Sequence, residues 1–171
     1  MEKVTVQYSP EIARHKLNAY FSGNFIMLDV IKRLQKSSLC VFAALCDGKT
    51  ITTAGYEINA DFSVKRASAV IHSLKLKNLP VSTNSVSTGS DVGGITNQAV
   101  FFISKEDLHS LKSDPEKIMR KCARLHAQHK RSHAQRDIAR LCKEFGKEAI
   151  LKLVNQAAAN PKMPPDGMSA C

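Results

Sequence analysis

The stretches Thr50-Ile-Thr-Thr53 and Ser63-Val-Lys-Arg-Ala-Ser-Ala-Val-Ile-His72 decide the fold of this chain. The first is short and β-branched, which favours a strand, and its last threonine is a residue type that caps helices. We therefore expect a helix that ends at Phe62. The serine that opens the second stretch is a good N-cap for a helix over residues 64–77, and Asn78 suits the left-handed position that ends a helix. A strand followed by two helices with a tight junction predicts a helix-turn-helix.

The predicted helix over residues 64–77 has two chemically different sides. At 100° per residue its apolar side chains share one side: Val64, Ala67, Val70, Ile71 and Leu74. Small residues and hydrogen-bond donors form the opposite side: Lys65, Ala69, His72 and Ser73. Arg66 and Ser68 flank this side. Four basic residues and no acidic residue lie between Ser63 and Asn78. A basic surface of small side chains suits docking in the major groove of DNA.

Two strand-like segments follow this helix and flank a glycine-rich loop. Leu79-Pro-Val-Ser-Thr83 and Gln98-Ala-Val-Phe-Phe-Ile103 are the strand candidates, with Thr88–Gly94 between them. We expect a β-wing whose loop is long for a hairpin. Ser104-Lys-Glu-Asp107 matches a capping box and predicts a short helix after the wing.

Further helices are expected on both sides of this unit. Residues 1–9 read as a short strand or a disordered arm. Apolar stripes then predict three helices, of which the last is apolar almost all round and therefore central: residues 10–21, 25–35 and 39–46. Three more are expected downstream, the second closed by Gly146: one opening at Ser113-Asp-Pro-Glu116, one over residues 138–145 and one over residues 149–157.

These elements predict a mainly α protein with a small β-wing (α+β). Its core is expected to be a winged helix-turn-helix, preceded by N-terminal helices and followed by a C-terminal helical extension. The predicted organisation has four parts: an N-terminal helical segment (1–37), the winged helix-turn-helix domain (38–112), a basic helical extension (113–160) and a disordered, proline-rich tail (161–171).

Positive charge is concentrated towards the C-terminus. The chain of 171 residues carries a formal net charge of +10, which favours polyanionic partners. Residues 1–62 have 7 basic and 6 acidic residues, whereas residues 114–171 have 12 and 6. The basic helices form a predicted secondary surface: Arg120, Arg124, Lys130, Arg131, Arg136 and Arg140. Three interpretations of this surface stay open. It is a second nucleic-acid site, it is a solvated helix face, or it is the outer side of a dimerisation element whose apolar stripes pair.

The sequence gives no sign of catalysis or of a cofactor. Gly48-Lys49-Thr50 imitates the end of a phosphate-binding loop, but Ala43 stands where the first glycine belongs and a helix precedes it. We therefore predict no enzyme and no catalytic residue. The longest apolar run, eight residues from Leu39, is far short of a membrane span, so we expect a cytoplasmic protein.

Metal binding is weighed and not predicted. Cys122, His126, His129 and His133 follow one another at helical spacing and could supply zinc ligands. No second Cys/His cluster lies nearby in the sequence. The five cysteines form no C-x-x-C pair, and four of them lie in apolar helical segments that predict buried thiols: Cys40, Cys46, Cys122 and Cys142.

The central segment resembles a known family. Gly48-Lys-Thr-Ile-Thr-Thr53, Phe62-Ser-Val-Lys-Arg-Ala-Ser-Ala-Val-Ile-His-Ser-Leu-Lys75 and Val100-Phe-Phe-Ile103 are similar to segments of winged helix-turn-helix proteins encoded by bacteriophages and related mobile elements. The resemblance covers about residues 38–104. Asn78 replaces the glycine usual at the helix end, and the wing is longer and richer in glycine. The resemblance implies DNA binding by a regulator or replication accessory.

We therefore expect binding of double-stranded DNA, with the helix over residues 64–77 in the major groove, to regulate transcription or replication of a phage or plasmid. The expected DNA-binding residues are polar, basic or small: Thr52, Thr53, Lys65, Arg66, Ser68, Ala69, His72, Ser73 and Lys75. A homodimer that forms through the C-terminal helices is one option. The rival hypothesis is a protein-interaction module, an inhibitor or adaptor of a nucleic-acid-handling complex, that uses the basic C-terminal helices. RNA binding by those helices is a third, weaker option.

Overall fold

The computed structural model describes residues 2–53, 58–89 and 94–159. They form a mainly helical α+β protein with one small mixed sheet. The elements occur in this order: β1 (Glu2–Lys3), α1 (Val4–Gln7), α2 (Pro10–Tyr20), α3 (Phe25–Lys32), α4 (Lys36–Cys46), β2 (Ile51–Thr52), β3 (Phe62–Ser63), α5 (Ala67–Leu76), β4 (Ser82–Gly89), β5 (Ile95–Phe102), α6 (Lys105–Ser113), α7 (Pro115–Phe145) and α8 (Lys147–Ala159). The chain divides into two compact units, Met1–His126 and Ala127–Cys171, which are described separately.

Helix α4 lies at the centre of the first unit. Every residue from Ser38 to Cys46 is buried, as the almost entirely apolar sequence predicts. The Phe21 ring, from the end of α2, stacks on that of Phe42 with 6.1 Å between centroids. Residues of the predicted segment 1–37 and of the predicted domain 38–112 share this single core.

The start of the chain is also ordered into this unit. Residues 2–7, expected as a strand or a disordered arm, form β1 and α1. Tyr8 is buried, and its hydroxyl donates a hydrogen bond to Asp47 Oδ2 at 2.9 Å. This bond ties the N-terminal segment to the end of α4.

The sheet has five strands in the order β1-β3-β2-β5-β4. Strand β3 is parallel to β1 and β2, whereas β5 is antiparallel to β2 and β4. The pair of strands predicted after the helix over residues 64–77 is confirmed as β4 and β5. Their boundaries differ, because pairing runs from Ser82–Phe102 to Gly89–Ile95 and takes in part of the predicted loop. Residues 90–93 of that loop lie outside the described residues.

The predicted helix before Phe62 is wrong over the part that the structure describes. Residues 58–61 are not helical, and Phe62–Ser63 is strand β3; the earlier positions, 54–57, lie outside the described residues. The physical reason is a pair of hydrogen bonds between Asp61 and Thr50. Asp61 Oδ2 accepts hydrogen bonds from the backbone N–H and the hydroxyl of Thr50, at 2.8 and 2.9 Å. These bonds hold the segment extended beside β2, where strand pairing takes the place of a helical turn.

Helix α5 begins three residues later than predicted. Ser63 pairs with Thr52 in the sheet, so it does not cap a helix, and the Val64 N–H donates to the Thr52 carbonyl at 2.9 Å. Arg66 takes the N-cap position instead, with a left-handed φ of 59°. The helix ends at Leu76, and Asn78 has the predicted left-handed conformation, with φ 60°.

The two helices predicted between residues 113 and 145 are one continuous helix, α7. Its polar middle interrupts the apolar pattern, but it contains no glycine or proline that would stop a helix. Gly146, with φ 84°, ends it as predicted, and α8 follows. In the described part of the chain, no helix is both long and apolar enough to cross a membrane.

Candidate nucleic-acid interface

Helix α5 presents one face to the core and the other to solvent. Ala67, Ile71 and Leu74 are buried, as the helical period predicts. Five of the six side chains predicted on or beside the opposite face are exposed: Lys65, Arg66, Ser68, Ala69 and His72. No described part of the first unit covers this face enough to bury any of them.

The start of α5 is electropositive for two independent reasons. Lys65 and Arg66 are exposed immediately before the first helical residue. The helix has no side-chain cap and no acidic residue in its first turn. The partial positive charge of its N-terminus is therefore uncompensated, which favours an anion such as a phosphate.

One predicted contact residue is not on this surface. Thr52 is completely buried, and its hydroxyl donates a hydrogen bond to the Ala99 carbonyl at 2.9 Å. The prediction that Thr52 contacts DNA is therefore corrected: strand β2 lies inside the sheet, and its second side chain points into the protein. The neighbouring Thr53 is exposed.

Ser73 and Lys75 lie at the margin of the face, where α5 meets the hairpin. Both are half-buried. Lys75 Nζ donates a hydrogen bond to Thr83 Oγ1 at 3.2 Å. Partial burial lowers the pKa of the Lys75 ammonium group below its usual value. This lysine therefore connects α5 to β4 and is less available to a ligand than Lys65.

The structure adds a neighbour that the sequence did not indicate. The rings of His72 and His126 have their centroids 6.4 Å apart, at an angle of 44°. His126 lies on α7, and its Nε2 atom is buried without a hydrogen-bond partner among the described residues. The two histidines are 54 positions apart, so helical periodicity could not pair them. The apolar stripe through Met119 and Cys122 shows only that α7 packs on the core.

The beginning of α7 therefore borders the exposed face of α5. Arg120 and Arg124 are exposed on this part of α7. Arg120 Nη2 lies 3.3 Å from Glu116 Oε2, in an exposed i,i+4 ion pair. Arg124 adds a cation to the same unit as the α5 face.

The hairpin β4–β5 is polar but carries no positive charge. Between Asn78 and Ser104 the sequence has one charged residue, Asp91, which lies outside the described residues. Ser87 Oγ donates to Asn97 Oδ1 across the two strands at 2.8 Å. Hydroxyl and amide groups line this hairpin, so it offers hydrogen bonds to a ligand rather than charge.

The remaining predicted basic residues belong to the second unit. Lys130, Arg131 and Arg136 are exposed on α7. Arg140 is exposed as well, with Nη2 3.8 Å from Asp137 Oδ1. They give the last turns of α7 a strongly basic surface.

The four residues weighed as zinc ligands do not form a metal site. Within residues 2–53, 58–89 and 94–159, no three His, Cys, Asp or Glu side chains are placed to share an ion. His133 Nδ1 instead lies 3.2 Å from Asp137 Oδ2.

Cys40 and Cys46 are buried free thiols, and burial raises the pKa of each.

Comparisons with known proteins leave this interface to be judged on its own chemistry. No family model, no curated protein and no solved structure matches the chain.

Proposed function

We propose that this protein binds double-stranded DNA by placing the exposed face of α5 in the major groove. One observation carries the proposal: this face is open to solvent and has cations at its beginning and no carboxylate along its length. A helix with small and donor side chains on its outer face fits the width of the groove.

Each exposed residue of α5 has a role that follows from its chemistry. Lys65 and Arg66, beside the uncapped helix N-terminus, bind phosphates and supply most of the affinity. Ser68 and His72 offer hydrogen-bonding groups to base edges. Ala69 lets the helix approach closely or contacts a thymine methyl group.

The arrangement of elements supports a winged helix-turn-helix. Helix α4, strands β2 and β3, helix α5 and the β4–β5 hairpin follow one another, and β2 pairs with β3 and β5. The extended segment before β3 differs from the usual first helix of the motif. The hairpin has no cations. We therefore expect it to contribute hydrogen bonds to the sugar-phosphate backbone of the DNA, beside the neighbouring groove.

The biological role proposed here is regulation. A DNA-binding unit with a basic extension, and with the resemblance described above, suits a cytoplasmic regulator of transcription or replication in a phage or plasmid. No catalytic step is part of the proposal.

A salt series of binding measurements tests the proposal. A duplex would first be selected from random sequences by the intact protein, and its affinity measured by fluorescence anisotropy. We expect affinity to fall as salt rises, and Lys65→Ala to reduce the slope by about 1. Lys65→Ala/His72→Ala should bind the selected duplex about tenfold more weakly, or worse, and lose its preference over random duplex.

Lys32→Ala/His15→Ala is the matched control, because it removes the same two side-chain types from exposed positions of α3 and α2. We expect it to retain both affinity and preference. Equal losses in the two double variants would show that only overall charge matters and would contradict specific docking by α5.

A protein-interaction module remains the second candidate, and one observation favours it. Large apolar side chains are exposed throughout the second unit, among them Ile138 and Leu153. If duplex binding withstands the α5 substitutions but is lost in Arg136→Ala/Lys143→Ala, two exposed cations of α7, DNA binding belongs to the extension. Absence of duplex binding by the intact protein would favour the interaction module.

A further inference from the structure

The described residues 127–159 form helices whose apolar side chains have no cover within their own unit. None of these residues is buried. The exposed fractions are 53% for Ile138, 59% for Phe145 and 65% for Leu153. Apolar surface of this extent, concentrated on two helices, marks an interaction site.

The apolar residues form a stripe on each helix. On α7, Ala134, Ile138, Leu141 and Phe145 follow spacings of four, three and four residues, the pattern of a helix-packing seam. On α8, Ile150, Val154 and Ala157 follow spacings of four and three. Both helices are therefore suited to lie against other helices.

The two helices cannot cover each other, because a single residue joins them. Gly146 has φ 84°, its N–H donates to the Cys142 carbonyl at 3.0 Å, and its own carbonyl accepts from the Ile150 N–H at 3.4 Å. Antiparallel helix pairs need a connection of about two to five residues. An isolated helix as short as α8, with 13 residues, is only marginally stable in water. Within the described residues of this unit, nothing covers the stripes.

The charges around the α7 stripe favour a second copy of this chain as its cover. Arg136, Arg140 and Lys143 lie on the opposite side of the helix at 100° per residue, away from the contact. The margins of the stripe have both signs, with Lys130 and Arg131 near one end and Glu144 near the other. An acidic partner would meet Glu144 as a like charge. A second copy in antiparallel orientation instead places each Lys130 beside the other copy's Glu144.

We infer that a second copy of this chain packs antiparallel on the stripe of α7 and α8, and that the protein is a two-fold symmetric dimer through residues 127–159. Asp137, near the middle, is already balanced within its own helix by His133 and Arg140. A closed two-fold contact of this kind uses the same surface on both copies. Two copies would also bring two α5 faces to one DNA duplex; that consequence alone rests on the proposed function.

Molar mass in solution tests the inference on the intact chain. Sedimentation equilibrium should give twice the 18.8 kDa of one chain. Leu141→Gln/Phe145→Gln should shift the protein to the mass of one chain, because it removes two stripe residues without changing charge. Phe25→Gln/Ile95→Gln makes similar changes at exposed apolar positions of the first unit and should leave the dimer intact.

A charge exchange tests the orientation. Lys130→Glu alone and Glu144→Lys alone should each weaken dimerisation several-fold, and Lys130→Glu/Glu144→Lys should restore it. A single-chain mass for the unaltered protein at high micromolar concentration would overturn the inference, as would a dimer that survives Leu141→Gln/Phe145→Gln. If Lys130→Glu/Glu144→Lys dimerises more weakly than either single variant, the antiparallel arrangement is overturned. Each result stands whether or not the protein binds DNA.

Discussion

Asp61 shows how one carboxylate decides the local structure beside the candidate interface. It bonds the backbone and hydroxyl of Thr50 and forms an ion pair with Lys49, with 3.1 Å between Lys49 Nζ and Asp61 Oδ1. Burial opposes ionisation of Asp61, but the hydrogen bonds outweigh it and the pKa of this carboxyl lies below its usual value. The segment that leads into α5 therefore depends on an ionised Asp61.

We predict that Asp61→Asn lowers the free energy of unfolding by about 1 kcal/mol at neutral pH, measured by urea denaturation. Because the folded-state pKa is depressed, this stabilisation is fully present above the unfolded pKa of about 4 and is lost as the pH falls through the folded pKa. The difference between the two proteins should thus shrink in acid. Asp29→Asn, at an exposed ion pair of α3, is the control and should change stability little. A difference that stays constant down to pH 2 would contradict the role of ionised Asp61.

Arg66 combines a strained backbone with a proposed phosphate contact. Its φ of 59° is unfavourable for a residue with a Cβ atom. We predict that Arg66→Gly raises the free energy of unfolding by about 0.5–1 kcal/mol while it weakens duplex binding. Asn78→Gly relieves the same conformation, with φ 60°, at the other end of the helix and should leave binding unchanged. Calorimetry and anisotropy on both variants separate the two effects, and an Arg66→Gly protein with undiminished affinity would remove Arg66 from the interface.

At the scale of elements, helix α4 is the structural support on which the rest of the first unit depends. Its side chains are buried on every side, and Phe42 is fully enclosed. Burial of a large aromatic side chain stabilises the folded state strongly. The position of α5 against the core follows from this helix, because Ala67, Ile71 and Leu74 share its apolar cluster.

We predict that Phe42→Ala lowers the free energy of unfolding by about 3–5 kcal/mol. The measurement is chemical denaturation of the intact protein, followed by circular dichroism. Phe25→Ala is the matched control, because Phe25 begins α3 with its side chain 84% exposed. It should change stability by about 0.5 kcal/mol or less. Similar losses in both variants would contradict a core centred on α4.

The elements that could be predicted from sequence are those with a local signal. The apolar run of α4, the two faces of α5 and the left-handed Asn78 each follow from neighbouring residues. Strand β3 could not be predicted, because two residues become a strand only by pairing with β2 and with β1, and β1 is distant in sequence. The contact of His72 with His126 is non-local for the same reason. The burial of Thr52 follows from the position of β2 inside the sheet, which the sequence does not specify.

For the whole molecule, the two units differ in the surfaces that they expose. The first unit presents a small basic face on α5 beside a neutral hairpin. The second has basic residues together with uncovered apolar stripes. Affinity for a polyanion and self-association are therefore properties that substitutions can change independently.

We predict different salt dependences for the two basic regions. Lys65→Ala/Arg66→Ala should reduce the slope of log affinity against log salt by about 2, because both residues are proposed to neutralise phosphates. Arg136→Ala/Lys143→Ala removes the same number of charges from the second unit, at positions away from the stripe of α7. If it reduces the slope more than the α5 variant does, the main phosphate contacts lie on α7 and not on α5.

The most direct test of the central claim is methylation interference on the selected duplex. A methyl group on guanine N7 obstructs the major groove, whereas one on adenine N3 obstructs the minor groove. If α5 reads the major groove, N7 methylation at the contacted guanines should reduce binding about tenfold or more, and Ser68→Ala/His72→Ala should reduce that sensitivity. Binding that tolerates every N7 methyl group, or that responds only to N3 methylation, would contradict the placement of α5 in the major groove.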